Sequence, residues 1–250
     1  MPDRVQHERT ANGASTNPEP LRSVLIVGGG TAGWLAAAVL RSYLDAGQLD
    51  IRLIESPDVP TIGVGEATVP PLVELVRSLG IDEADMMAFC NASWKLGIRF
   101  DGWHPGEHRY WHPFGPGPAT VDGLPLFYFW LRQRLATNRG AFADCSPTVA
   151  LAEGFRGLLM QGGPSPVVRT GAYAYHLDAN RLGEYVRTLC VQRGVHHIPD
   201  RVASVQVDAG RITGITCERT GVQRADLYID ASGFHSLLSG GAQQIDWIDW

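Results

Sequence analysis

The run Ser23-Val24-Leu25-Ile26-Val27 leads without a break into Gly28-Gly29-Gly30-Thr31-Ala32-Gly33 and then into the alanine-rich stretch from Trp34 to Leu40. An unbroken apolar run of this kind suits a parallel strand covered on both faces. In the G-x-G-x-x-G spacing, Gly28 makes the tight turn, Gly30 lets backbone approach a pyrophosphate and Gly33 permits close helix packing. Thr31 and Ala32 open a helix whose unsatisfied amides and dipole favour a bound anion. A second strand, Ile51-Arg52-Leu53-Ile54, ends in Glu55, which follows Gly33 by 22 positions. That is close to the spacing at which a carboxylate accepts hydrogen bonds from the ribose of an adenosine, and it would repel a 2′-phosphate. Glycine turns also close ordinary strand–helix units. Strand, turn, helix and acid in this order point to a dinucleotide.

A second segment favours FAD over NAD. Leu227-Tyr228-Ile229-Asp230-Ala231-Ser232-Gly233 reads as a strand running into an acid and a small-residue turn. In two-motif flavoproteins such a segment brings Asp230 to the ribityl and pyrophosphate region, with Gly233 allowing close backbone approach; by itself Asp230 is as readily a turn-forming acid. Ahead of it, 202–207, 212–217 and 225–228 read as successive strands of an inserted β-meander, joined by Gly-containing turns such as Asp208-Ala209-Gly210. Val202, at the start of the meander, joins the cofactor set. The fold class expected is α/β, a Rossmann-like two-motif FAD-binding fold with that meander.

The chain has 250 residues, a formal net charge of -5 and a pI near 5.9, which makes nucleic acid and anionic membrane poor partners and small molecules or proteins better ones. Residues 1–20 are polar and carry no apolar run of the kind a secretion signal needs, so we read them as a disordered leader. Cys90, Cys145, Cys190 and Cys217 form no CxxC pair, as expected of reduced thiols in a cytoplasmic protein. His104, His108 and His112 are spaced by four, but Pro105, Gly106 and Pro113 forbid the helix that would align them on a metal, and none is expected. Trp103, Tyr110, Trp111 and Phe114 read as an aromatic wall.

Between the two nucleotide segments, Gly65, Glu66 and Ala67 lie in Thr61-Ile62-Gly63-Val64-Gly65-Glu66-Ala67-Thr68-Val69-Pro70-Pro71, a loop that suits backbone passing beside a ligand, with a helix expected over 72–79. In the strand pattern 93–100, Trp94, Leu96, Ile98 and Phe100 share one face and Ser93, Lys95, Gly97 and Arg99 the other. Lys95 then has small neighbours. A desolvated lysine can act as a nucleophile or donor, although most strand lysines point to solvent. Residues 174–179 read as a strand feeding a helix capped by Asp178 and ended by Gly194.

These segments resemble the flavin-dependent halogenases of the tryptophan halogenase family: VLIVGGGTAGWLAAAVL at 24–40, IRLIESPDVPTIGVGEATVPPL at 51–72, CNASWKLGIRFDGW at 90–103, HPFG at 112–115, YHLDANRLGEYV at 175–186 and YIDASGFHSLL at 228–238. The resemblance implies that reduced FAD, supplied by a separate flavin reductase, activates oxygen toward chloride or bromide, giving hypohalous acid. It also implies that the acid reaches Lys95, which holds it as a haloamine or by a hydrogen bond, and that an electron-rich aromatic substrate such as an indole is halogenated. On this reading the loop GVGEATVP lies between flavin and lysine, and Lys95 faces a pocket.

The family's W-x-W-x-I-P motif, its glutamate near the substrate and its halide site are not found in 239–250, which we read as a divergent tail. The expectation is a partial halogenase-type domain over 21–238, with 71–169 carrying the lysine segment, firmer in binding than in turnover. The alternatives are a flavin monooxygenase, which needs no lysine, and a non-catalytic FAD-binding fragment or partner subunit.

Overall fold

The computed structural model describes residues 20–59, 65–103, 105–106, 108–115, 120–156, 159–160, 163–164, 173–245 and 248. The leader before Pro20, Thr61–Val64, His104, Gln161 and most of the tail after Ile245 lie outside the described residues. In chain order the main elements are β1 (Ser23–Val27), α1 (Thr31–Tyr43), β2 (Asp50–Glu55), β3 (Gly65–Ala67), α2 (Pro71–Ser78), α3 (Glu83–Phe89), β4 (Ser93–Lys95), β5 (Gly97–Asp101), β6 (Arg109–Pro113), α4 (Leu126–Thr137), α5 (Pro147–Glu153), β7 (Ala174–Asp178), α6 (Ala179–Gln192), β8 (His196–Pro199), β9 (Val202–Asp208), β10 (Arg211–Cys217), β11 (Gly221–Gln223) and β12 (Leu227–Asp230).

Four of these strands form a parallel sheet in the order β8-β2-β1-β12. Side chains alternate across it, and both faces are covered. Val24, Ile26, Ile51 and Leu53 pack with α1 and α6 through Trp34, Ala37, Leu182 and Val186, whereas Leu25, Val27 and Ile54 pack against Ile215, Cys217 and Leu238 on the other side. That double burial is why the strands read as apolar runs.

The antiparallel sheet β3-β7-β4 carries the second half of the site. Its core side holds Tyr175, 0% exposed. The hydroxyls of Tyr173 and Tyr175 both donate to Glu83 Oε1 of α3, at 2.6 and 2.7 Å. Burial and the Glu83 carboxylate push Tyr173 up to about 12 and Tyr175 higher still. The opposite face is built from Gly65, Ala67, Ser93, Ala174 and His176 around Lys95.

Two expectations are corrected. The single strand over 93–100 is two strands in different sheets, β4 beside β7 and β5 beside β6. Gly97 packs so tightly on β6 that a Cβ there would lie 2.7 Å from the His112 carbonyl, and Phe114 N donates to Leu96 O, so Lys95 and Leu96 are both buried instead of alternating. The third meander strand is β11, paired with β10, whereas β12 leaves for the parallel sheet. Asp226 directs that departure: Oδ2 accepts hydrogen bonds from the amides of Arg22 and Ser23 and from the Ser23 hydroxyl, seating β12 beside β1.

The strand-to-helix junction at Asp178 is as expected. Its Oδ1 accepts from the amides of Asn180 and Arg181, capping α6, and Gly194 closes the helix at φ +84°. Asp178→Ala should destabilise the chain by about 1 kcal/mol, the usual value of an N-cap, seen as a lower denaturation midpoint with unchanged slope.

Candidate functional site

Two of the four glycines at the β1–α1 turn, Gly28 and Gly33, are required by packing against backbone, and a third, Gly29, is crowded by the Glu55 side chain. Gly28 sits at φ +116°, and a Cβ there would lie 2.1 Å from the Ala231 carbonyl oxygen; one on Gly33 would lie 2.0 Å from the Gly28 carbonyl oxygen. One on Gly29 would lie 2.2 Å from the Glu55 carboxyl carbon. Gly30 differs: its backbone is extended at φ -69°, and a Cβ would meet nothing within 4 Å. It caps α1 without a side-chain hydrogen bond, which leaves the amides of the first turn to a bound anion.

Glu55 ends β2 at the wall of a cavity of about 290 Å³ lined by Gly29, Trp34, Glu55, Asn180, Gly183, Glu184 and Arg187. Its Oε2 lies 2.8 Å from His197 Nε2 and 3.8 Å from Arg187 Nη1, yet is buried without an aligned hydrogen-bond donor among the described residues. Trp34 Nε1 is likewise buried and without a hydrogen-bond partner among the described residues. An open cradle at Gly30, a helix N-terminus and an orphaned acceptor beside a cavity fit the adenosine half of FAD. Glu55→Gln should weaken FAD binding roughly tenfold, since hydrogen bonds to a charged group contribute about 1.5–3 kcal/mol; flavin titration by fluorescence checks it.

Asn180, Gly183, Glu184 and Arg187 are residues that motif reading missed. They recur at i, i+3, i+4 and i+7 on α6, the spacing of one helix face. That stripe was the available signal, but only the packing of α6 on α1, with the Thr31 hydroxyl donating to Ala179 O at 3.2 Å, turns it toward the glycine turn.

Asp230 is placed beside Val27, at the edge of the turn. Its carboxylate gathers donors of its own chain: Ser232 N and Oγ on Oδ1, and Leu238 N, Ser239 N and Ser239 Oγ on Oδ2. Burial opposes its ionisation, but these hydrogen bonds outweigh burial and hold it below the usual carboxylate range. Val202 packs against the cluster of Leu25 and Ile215, and Gly233 turns the backbone at φ +64°.

Lys95 is 8% exposed. Its side chain crosses β7 above Ala174, and Nζ donates to the carbonyls of Ala67 (3.2 Å) and Thr68 (2.9 Å) while lying 5.3 Å from the Phe114 ring centroid. It makes no ion pair among the described residues. Burial lowers its pKa. The structure therefore joins the lysine to the backbone of β3, the strand of Gly65, Glu66 and Ala67. A compositional signal also marks it: Lys95 is the only lysine among the chain's 21 basic residues. A second cavity, about 400 Å³, is lined by Gly65, Asn91, Ser93, His176, Leu177, Asp178 and Asn180, so Asn180 borders both spaces.

The family model for tryptophan halogenase matches residues 23–250. The chain belongs to the tryptophan halogenase family. It is 35% identical over 246 residues to tryptophan 7-halogenase RebH of Lentzea aerocolonigenes, covering 90% of this chain and 45% of that protein. It is 34% identical to tryptophan 6-halogenase ThaL of Streptomyces albogriseolus, with 92% and 46% covered. Among solved structures, tryptophan 6-halogenase SttH from Streptomyces toxytricini superposes with a TM-score of 0.81 at 33% identity, over 91% of this chain and 45% of that one. A flavin-dependent halogenase from Xanthomonas campestris gives 0.82 at 37% identity, over 92% and 46%. The chain thus spans less than half the length of these tryptophan halogenase relatives, and its α/β architecture is that of the corresponding part of the family fold.

Proposed function

We propose that this chain carries the flavin-binding and lysine-bearing part of a flavin-dependent halogenase acting on an electron-rich aromatic ring of the tryptophan or indole type. The observation that carries the reading is Lys95: the chain's one ε-amine, buried, without a carboxylate partner among the described residues, and anchored to the strand that follows the dinucleotide unit. A structural lysine would be expected to reach solvent or an acid.

FAD in its reduced form, delivered by a separate flavin reductase, would supply the electrons for activating oxygen toward chloride or bromide. The α1 amides and Gly30 would hold the pyrophosphate, and Glu55 the ribose hydroxyls. Lys95 would capture hypohalous acid and present it to the ring. Its sheet face consists of Gly65, Ala67, Ala174, Ser93 and His176, which places no cysteine or methionine beside it on those strands. No helix among the described residues is long and apolar enough to cross a membrane; we place the protein in the cytoplasm, with access to the reductase, and in secondary metabolism. Oxygen insertion as in a monooxygenase would leave Lys95 without a task.

The test has two arms. Flavin titration of this chain should show FAD binding, and a chain that binds none would overturn the reading. The protein as encoded in its gene, given a flavin reductase, NADH, oxygen, chloride or bromide and a panel of indoles, should yield a monohalogenated product by mass spectrometry. Product formation independent of halide would refute it.

A further inference from the structure

The Lys95 ammonium needs somewhere to send a proton. Among the described residues its hydrogen-bond partners are the carbonyls of Ala67 and Thr68, which accept hydrogen bonds but hold no proton at neutral pH, and the Phe114 face offers none either. The two carbonyls hold the ammonium while burial works against its charge, and a nucleophilic lysine must shed that proton.

Strand register supplies a neighbour. Lys95 pairs with Ala174, and His176, one residue pair along on the same face, pairs with both Ser93 of β4 and Ala67 of β3. To reach the Ala67 carbonyl, Lys95 must cross β7 between Ala174 and His176. Diagonal neighbours across a ladder stand about 7–8 Å apart at the backbone, within reach of long side chains. His176 also lines the second cavity, with Asn91, Ser93 and Asn180, and is exposed there, whereas Lys95 is buried. It therefore borders both the lysine's sheet face and the second cavity.

We propose that His176 is the proton acceptor for Lys95, converting the ammonium to the amine that takes up halogen. This rests on the halogenase reading above. An Nζ–H bond breaks, its proton bonds to an imidazole nitrogen and the electron pair stays on Nζ; the imidazolium then releases the proton to water in the cavity. The neutral amine attacks the halogen of hypohalous acid, forming N–X as X–O breaks; the departing hydroxide takes up the proton that nitrogen sheds and becomes water. The charged groups sharing the face of His176 are Lys95 on β4 and Asp178 on β7 itself; β3 contributes Gly65 and Ala67, since Glu66 points to the other side. Partial burial and the Lys95 charge both lower the imidazole's pKa, which favours its neutral form.

Because Lys95 is the only lysine, its titration can be read directly. Reductive methylation with ¹³C-formaldehyde places a single ε-dimethylamine in the chain, apart from the N-terminus. Its carbon resonance should show a second inflection where His176 titrates, absent in His176→Gln. Turnover should fall about 100-fold in His176→Ala at pH 7, the lower end of the range of general base catalysis, with the acid limb of the pH–rate profile moved at least one unit upward and activity partly restored by added imidazole. An unchanged profile in His176→Gln, or a methyl titration without the second inflection, would overturn the proposal. Absence of halogenation by the wild-type protein would instead count against the halogenase reading, and the titration would still report the pairing.

Discussion

Lys95→Ala should reduce halogenation by more than about 100-fold while FAD affinity stays within about twofold of wild type, because on the proposed reading the amine would be a covalent or hydrogen-bonding partner of the oxidant and would take no part in holding the nucleotide. Lys95→Arg should be as inactive. The guanidinium keeps the charge but is not deprotonated in proteins, so it offers the oxidant no neutral amine. Stability should move little: removing a buried charge relieves desolvation, while the Ala67 and Thr68 carbonyls each lose a donor at a cost of order 1 kcal/mol. Product yield by mass spectrometry, flavin titration and thermal denaturation on the same preparations would separate these effects. Retained halogenation in Lys95→Ala would remove the lysine from the mechanism.

Gly28→Ala should fold poorly and bind no FAD. At φ +116° an L side chain is strained, and the new methyl would lie 2.1 Å from the Ala231 carbonyl oxygen, which belongs to the backbone just past β12 and cannot swing aside. The strain and overpacking together cost of the order of 3 kcal/mol or more, a large share of a domain's stability. Gly30→Ala is the informative contrast. With φ -69° and no atom within 4 Å, a methyl there leaves the fold untouched, so a stable protein with weakened flavin binding is the expected result. If Gly30→Ala binds FAD as tightly as wild type, the pyrophosphate does not approach that glycine.

The contrast between Gly28 and Gly30 also shows where sequence reading reaches its limit. Both occupy fixed places in the same six-residue pattern. Which of them is held by the protein and which is free for a ligand depends on β12, some 200 positions away, through Ala231. The β1–α1–β2 unit was legible because its signals are local: an apolar run, a helix without breakers, a terminal acid. So was α6, from Asp178 to Gly194. The break between β4 and β5 was not, because period-two alternation continues through Lys95 and Leu96, and only the tight seating of Gly97 on β6 splits it. Strand β12 was misjoined to the meander for a similar reason. Its partner is chosen by Asp226 reaching back to Arg22 and Ser23, a contact invisible to any window of sequence.

Taken alone, the sequence determined that a dinucleotide fold begins at Ser23 and that Gly28, Gly30, Gly33 and Glu55 lie at its turn, because those requirements are steric and local. It also supplied Lys95 as a candidate by resemblance. Tertiary structure decided the rest. It buried the lysine by carrying its side chain across Ala174 to the carbonyls of β3, set His176 beside it through strand register, and brought Asn180 and Arg187 of α6 to the wall that Glu55 shares. Those placements come from pairing and packing between distant segments, whose energies are fixed by three-dimensional neighbours and not by spacing along the chain.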